Sequence, residues 1–429
     1  VLDLLTVAVI VLAYGFVSKP LAARGITSAL ALTVCGFVAG TSVLGLIDLE
    51  LESSTSMRLA EGALVLLLFS DAARIDLRSL RRHLAWPSRL LLIGMPLTML
   101  AATGVGALVL PSVTVLTAFL LATMVSATDA ALGQIVVTDT RVPARVRQAL
   151  DVESGLNDGL AVPFFLVAVD LSRAELTTGI TWAVASNIAQ QIGWGLVAGL
   201  IAGGLSGVAL RFAARRGLVE RQWRQVIPLA AAASAYLIAS QLGGSGFIAA
   251  FVGGMAYGHL AQRRGHGTTF VTEEAGELLA AITWIGFGAL ALGHALPLVT
   301  WHTVLYAALC LTLVRMVPVA IALARQGLQR PTTAFMGWFG PRGLASIVFV
   351  LLALEDGVPD ADALLSTVAL TVALSVLAHG ITSVPLVARY TAWYATRAEE
   401  HPETAEAVPA TMSRLRRQRV TVEPDADGS

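Results

Sequence analysis

The sequence predicts an all-α, polytopic membrane protein of about thirteen transmembrane helices, built as two inverted six-helix repeats with crossed, interrupted helices. Three observations lead there. Hydrophobic residues make up 56% of the chain and charged residues 14%, with mean hydropathy +0.74, whereas a soluble domain carries about 25% charged residues. Apolar runs near 20 residues, the length a bilayer core demands, recur from end to end. Between basic clusters the chain repeatedly has room for two such runs, so each basic cluster lies on the same, cytoplasmic, side.

The formal net charge of zero conceals this asymmetry. Basic clusters stand at Lys19/Arg24, Arg74 to Arg89, Arg141/Arg145/Arg147, Arg211 to Arg224, Arg263/Arg264, Arg325/Arg330 and Arg389/Arg397. The opposite turns are acidic or uncharged. Six hairpins plus one leading span place the N-terminus outside and the C-terminus in the cytoplasm. Arg58 on the outer side and Glu273, Glu274 and Glu277 on the inner side run against the rule without changing the parity.

The first span, 3–18, begins with Asp3 where a signal peptide would have a basic region, and no small-residue cleavage pattern follows. The missing initiator Met is read as trimmed numbering. Span two, 26–46, runs to the acidic turn Asp48/Glu50/Glu52. Span three, 59–72, carries Asp71 into the first long basic stretch. Span four, 89–109, turns at Pro111-Ser112 into span five, 113–138, and span six, 146–169, ends at Asp170/Glu175. Span seven, 183–210, leads into Arg211 to Arg224. The 30 or so apolar residues from Leu229 to Gly258 have basic residues on both flanks. They are therefore read as two short helices, 225–242 and 245–261, parted at Gly243-Gly244. Spans ten to thirteen are 276–296, 301–323, 333–354 and 362–389, the last preceded by Glu355, Asp356, Asp360 and Asp362. Spans one to six and eight to thirteen are then two equal halves of opposite orientation around span seven. This symmetry rests on hydropathy alone. From 392 the chain turns polar and is expected to be a disordered cytoplasmic tail, 392–429.

Polar groups inside these apolar runs mark an ion or proton path. Span five contains Ser126-Ala127-Thr128-Asp129 and span twelve contains Gly340-Pro341-Arg342-Gly343. Breaks at corresponding positions of two halves point to a binding site near the midplane, because freed backbone groups are tolerated only in a buried or wet cavity. Asp129 suits positive helix N-terminal ends and Arg342 negative C-terminal ends. In span six, Glu153-Ser154-Gly155-Leu156-Asn157-Asp158-Gly159 places Ser154 with Asp158, and Glu153 with Asn157, four residues apart on shared faces. A carboxylate and hydroxyls at this spacing can replace the hydration shell of a hard monovalent cation. If the carboxylate must lose a proton to do so, cation and proton compete for one site. Arg315, deep in span eleven, needs a buried anion, and Glu153 is the first candidate; Asp71 is paired by the same reasoning with Arg342 or placed at the inner interface. Cys35 and Cys310 lie in apolar segments and read as packed hydrophobes. His259, His294 and His379 read as packed or interfacial.

These residues resemble a family. Ser126 to Asp129, Val142-Pro143-Ala144-Arg145-Val146-Arg147 and Glu153 to Gly159, followed by Arg315 with Pro318, Gly340 to Gly343 and Ala378-His379-Gly380-Ile381-Thr382, are similar, in that order, to motifs of the monovalent cation/proton antiporters of the bacterial NhaP and animal NHE type. The likeness extends to about Tyr390. It implies an NhaA/NhaP-like fold and a homodimer in the plasma (inner) membrane. Residues 1–87 and 173–299 would form the dimerisation domain with its linker helix. Residues 88–172 and 300–391 would form a mobile ion-transport core that carries the ion as an elevator does. It implies Asp158 as the ion- and proton-binding carboxylate, Thr128 and Ser154 as co-ligands with Asn157 beside them, Asp129 near the helix crossing, and Glu153 with Arg315 as a structural pair. Asn157 before Asp158 implies electroneutral, one-for-one exchange of Na+, K+ or Li+ for H+. Asp129-Ala130 departs from the Asp-Pro of many members. The partners implied are a monovalent cation, a proton, the lipid bilayer and a second copy of the chain; no nucleic acid, cofactor or enzymatic activity is expected. A cation channel and a cation-coupled solute transporter are the rival readings. An intramembrane serine protease, suggested by Gly243-Gly244-Ser245-Gly246 with His379, lacks the glycine expected where Thr382 stands.

Overall fold

In a bilayer, backbone amides and carbonyls have no water to bond, so a chain this apolar must close its hydrogen bonds internally as helix. The computed structural model describes residues 2–48, 54–75, 85–111, 113–129, 131–177, 181–261, 269–400 and 405–406. Among these the only extended pairing is an isolated bridge between Gly40 and Ile47, and the rest of the regular structure is helical.

The helices fall into the expected order: α1 (Leu2–Ala23), α2 (Ser28–Ala39), α3 (Ser54–Arg74), α4 (Ala85–Val109), α5a (Val115–Met124) with α5b (Gln134–Thr138), α6 (Ala144–Thr177), α7 (Trp182–Arg215), α8 (Trp223–Gln241), α9 (Gly246–Ala261), α10 (Phe270–Leu298), α11 (Trp301–Ala322), α12a (Arg330–Trp338) with α12b (Leu344–Glu355), and α13 (Ala361–Glu400). Seven of them, α1, α4, α6, α7, α10, α11 and α13, are individually long and apolar enough to cross a membrane. The run from Leu229 to Gly258 does divide at its glycine pair, where Gly243 adopts φ +73°, a conformation that penalises any side chain.

Three elements differ from the sequence reading. The second helix stops at Ala39 rather than near 46, because Gly40 caps it and Gly45, at φ +62°, helps fold 40–48 into turns. Helix α11 is interrupted at Thr312, whose φ of −117° and ψ of −97° lie outside the helical region; its hydroxyl bonds Ala308 O at 2.6 Å. The last helix continues past 392 to Glu400, so residues 392–400 are not disordered. An aromatic stripe explains the extension: Tyr390 stacks on Phe335 and packs against Trp393 and Tyr394. Residues 405–406 then return to the body, with Arg145 donating to Ala405 O at 2.7 Å and Gln329 N–H to Glu406 Oε1 at 2.8 Å. The remainder of the expected tail lies outside the described residues.

The helices pack as two groups. In one, α9 lies between α7 and α3, while α3 also packs on α10, and α10 on α2. Small residues make this possible. A Cβ on Gly199 would meet the backbone of Ala249, one on Gly203 the backbone of Gly253, one on Gly254 the backbone of Phe69 and one on Gly258 the backbone of Ala73. Main chains thus touch directly on both sides of α9, the arrangement by which helices associate in lipid. In the other group, α4 packs on α5a, α5a on α6, α11 on α13 and α12a, and α12b on α13. Helix α3 meets α6 and α12b, which joins the two groups.

Gly203→Val should cost about 1–3 kcal/mol by overpacking and lower the melting temperature of the detergent-solubilised protein. Gly193→Val, on the same helix but with open space at its Cβ position, should leave it unchanged.

Candidate functional site

The centre of the second group is a crossing of two broken helices. Helix α5 unwinds over 125–129 and 131–133 and α12 over 339–343, and each break exposes helix ends that need partners. The two stretches supply partners to each other. Asp129 N–H donates to Pro341 O at 2.8 Å. The Asp129 carboxylate accepts from Leu344 N–H, at the start of α12b, at 3.1 Å, and from Ala131 and Leu132 N–H at 2.8 and 3.1 Å. Arg342 is 1% exposed and its Nη1 donates to Ser126 O at 2.9 Å and to Ala127 O at 3.3 Å, just beyond the end of α5a. A carboxylate thus meets amide ends and a guanidinium meets carbonyl ends, each the favourable sign.

The glycines that flank Pro341 and Arg342 create the space for these side chains. A Cβ on Gly343 would overlap the Asp129 carboxylate, and one on Gly340 would fall 2.5 Å from Arg315 Nε. Arg315, from α11, faces Glu153 of α6 at 2.6 Å, with side chains only 3% and 2% exposed. This is the partner that charge arithmetic selected for Arg315. Of the two placements considered for Asp71, the pairing with Arg342 is not formed: Arg74, one turn further along α3, lies 3.9 Å away and also contacts Glu273, while Arg342 is engaged at the crossing. Asp71 packs beside α6, its Cβ 3.7 Å from the Cβ position of Gly155.

Hydrogen bonds carry the crossing across to α6. Asn157 Oδ1 accepts from Thr128 N–H at 3.1 Å, Asn157 Nδ2 donates to Thr128 Oγ1 at 2.6 Å, and Thr128 Oγ1 lies 3.3 Å from Ser154 Oγ. Thr128, Ser154 and Asn157 therefore form one cluster, in which Asn157 acts as a tie between helices. Asp158 is not drawn into it. Its Oδ1 is buried and has no hydrogen-bond partner among the described residues. The charges that act on it most are those of Asp129, Asp71 and Arg342. It shares a face of α6 with Gly155, whose Cβ position abuts Asp71 of α3, and the next residue, Gly159, abuts the Phe251 ring of α9. Asp158 thus stands where the two helix groups meet. No cluster of three His, Cys, Asp or Glu side chains suited to a resident metal occurs among the described residues.

Sequence reasoning passed over a further set. His379, read as a packed histidine, is buried and reaches Trp338 O with Nε2 at 2.9 Å, and Ser375 Oγ accepts from Arg342 N–H at 2.6 Å. The available signal was the i, i+4 spacing of Ser375 and His379 on α13.

Comparison with known proteins follows this geometry. A family model described as "Sodium/hydrogen exchanger, transmembrane" matches residues 5–389. A probable Na(+)/H(+) antiporter of Schizosaccharomyces pombe is 26% identical over 313 residues, covering 69% of this chain and 41% of the relative. The K(+)/H(+) antiporter NhaP of Alkalimonas amylolytica is 26% identical over 364 residues, covering 83% and 61% respectively. The chain thus spans less than two thirds of the length of these relatives. The sodium proton antiporter MjNhaP1 of Methanocaldococcus jannaschii, a solved structure, superposes with TM-score 0.72 at 18% identity, over 87% of this chain and 97% of that one, which shows a shared fold.

Removing one member of a buried ion pair costs about 3–5 kcal/mol. Glu153→Gln and Arg315→Ala should each reduce the folded yield and the melting temperature in detergent, and a double Glu153→Leu/Arg315→Met variant should recover much of the loss.

Proposed function

We propose a transport function for this chain, which belongs to the sodium/hydrogen exchanger family: it is a secondary active antiporter that exchanges a monovalent cation for a proton at Asp158. The observation that carries this reading is the unpartnered Oδ1 of Asp158. Around it the Asp129 and Glu153 carboxylates, Asn157 and Thr128 have partners within the protein, as does Nη1 of Arg342 and of Arg315, whose remaining guanidinium nitrogens include unpartnered ones among the described residues. A buried carboxylate oxygen without a donor is unfavourable, and a proton or a cation relieves that in turn.

Competition for one carboxylate couples the two ions. With a proton bound, Asp158 is neutral and offers a poor cation ligand. With the proton released, the carboxylate and the hydroxyls of Thr128 and Ser154 supply hard oxygen donors for Na+, K+ or Li+. Asn157 is neutral and occupied by Thr128, so it contributes no second titrating charge. One proton therefore leaves for each cation that binds, and the exchange is electroneutral. The relatives named above are described as Na(+)/H(+) and K(+)/H(+) antiporters, so both ions belong in the test.

Alternating access follows from the position of Asp158 between the helix groups. The α4–α6 and α11–α13 group, which holds the crossing and the buried Glu153–Arg315 ion pair, moves as an elevator against α1–α3 and α8–α10. The latter supply the contact between two copies of the chain. The N-terminus lies outside and the C-terminus in the cytoplasm, as the basic loops require.

Purified protein in proteoliposomes should alkalinise or acidify the lumen when Na+ or K+ gradients are imposed, at a rate indifferent to a valinomycin clamp on the membrane potential. Asp158→Asn should abolish the flux by at least about 100-fold while leaving the elution profile and melting temperature intact. Flux that tracks the clamp would mean electrogenic exchange or a channel. An active Asp158→Asn variant would remove Asp158 from the mechanism.

A further inference from the structure

The residues 339–343 that unwind α12 have no helix of their own to hold them, yet Arg342 must be placed precisely enough to meet two carbonyls of α5. Helix α13 grips this stretch from both ends. On one side Trp338, the last residue of α12a, gives its carbonyl to His379 Nε2 at 2.9 Å and its indole N–H to Thr382 Oγ1 at 3.0 Å. Its ring also stacks on that of His379, with centroids 5.2 Å apart and planes 30° apart. On the other side Arg342 N–H donates to Ser375 Oγ at 2.6 Å. Ser375 Oγ in turn lies 3.3 Å from His379 Nδ1. His379 Nδ1 also lies 2.8 Å from Ser375 O, so each ring nitrogen faces a carbonyl oxygen: Nε2–H donates to Trp338 O, Nδ1 is held against the preceding turn of α13, and Ser375 Oγ accepts from Arg342 N–H. Ser375 and His379 are one helical turn apart and buried, 0% and 1% exposed.

We infer that His379, acting with Ser375, is a positioning residue for ion binding: it clamps the unwound segment of α12 to α13 and so fixes where Arg342 meets the end of α5a. The inference rests on the antiport reading, since the site it positions is that of Asp158. The chain of contacts is continuous. The Arg342 guanidinium holds Ser126 O and Ala127 O, the next residue is Thr128, and Thr128 is tied to Asn157 and Ser154 of α6. His379 touches none of the proposed ion ligands. Its effect reaches them through the unwound backbone, which these contacts fix from the α13 side while Asp129 holds Pro341 O and Leu344 N–H from the α5 side. A packed histidine with no such role would need only a filler of similar volume.

Two measurements on purified full-length protein separate this role from simple packing. In proteoliposomes, His379→Ala and His379→Asn should raise the half-saturating Na+ or K+ concentration by about fivefold, the scale of one lost hydrogen bond. His379→Gln, whose amide N–H can replace Nε2–H toward Trp338 O, should restore it to within about twofold of wild type. Ser375→Ala should add little in the His379→Ala background, as expected for two members of one chain. By hydrogen–deuterium exchange in detergent, amides of a peptide spanning 336–346 should exchange faster in His379→Ala than in wild type or His379→Gln, with α7 and α9 peptides unchanged. If wild type exchanges ions but all three His379 variants keep its half-saturation, or if His379→Ala lowers only the melting temperature, the clamp is wrong. If wild type moves no protons with any cation, the antiport reading fails, and the exchange of 336–346 still decides whether His379 holds the break.

Discussion

The cost of breaking a helix inside a membrane governs this structure. Each interruption strands amides and carbonyls where no solvent can reach them, and two interruptions face each other at the crossing of α5 and α12. The solution is reciprocal: Asp129 of one break caps the amides of the other, and Arg342 of the second holds carbonyls of the first. Neither break could persist without the other. The crossing is therefore a single cooperative unit, although its parts are more than 200 residues apart in the chain.

From this unit the remaining architecture follows by successive support. Gly340 and Gly343 exist to admit Arg315 and Asp129 at close range. Arg315 brings a second positive charge near Arg342, and Glu153 neutralises it. Asn157, next but one to the unsatisfied Oδ1's own backbone neighbour Gly159, closes the gap between α5 and α6. Of the carboxylates here, Glu153 and Asp129 have partners and Asp158 Oδ1 has none among the described residues, as is also true of Nε of Arg342 and of Nε and Nη2 of Arg315. That contrast gives Asp158 its interest: buried polar atoms in proteins are overwhelmingly satisfied, and the surroundings here show that partners were within the reach of this sequence.

Much of this was legible before any coordinates. Loop charges and span lengths located the helices, including the division at Gly243-Gly244, because bilayer thickness and basic-loop orientation act on sequence directly. The pairing of Glu153 with Arg315 was legible because a lone buried cation permits few partners. Of the two placements open to Asp71, the pairing with Arg342 does not form because Arg342 has carbonyl acceptors, which no count of charges registers, while Arg74 is close at hand on the same helix. The role of His379 was illegible for a related reason: its partners are the carbonyl of Trp338 and the hydroxyl of Ser375, and backbone groups carry no letter in the sequence. The helical course of 392–400 was hidden by a polar composition that outweighed three aromatic residues packing in register.

The glycine-lined contacts of α9 have a meaning beyond close packing. Where main chain rests on main chain, as between α9 and both α7 and α3, there are no rotamers to exchange and so only one way for the surfaces to mate. Beside Asp158 the contact between groups is of another kind, a phenyl ring of Phe251 lying on Gly159 of α6. A flat ring over a bare stretch of backbone has no interlocking ridge to climb. One boundary is backbone locked on backbone and the other a ring laid on backbone, and the unsatisfied carboxylate is the residue next to the second.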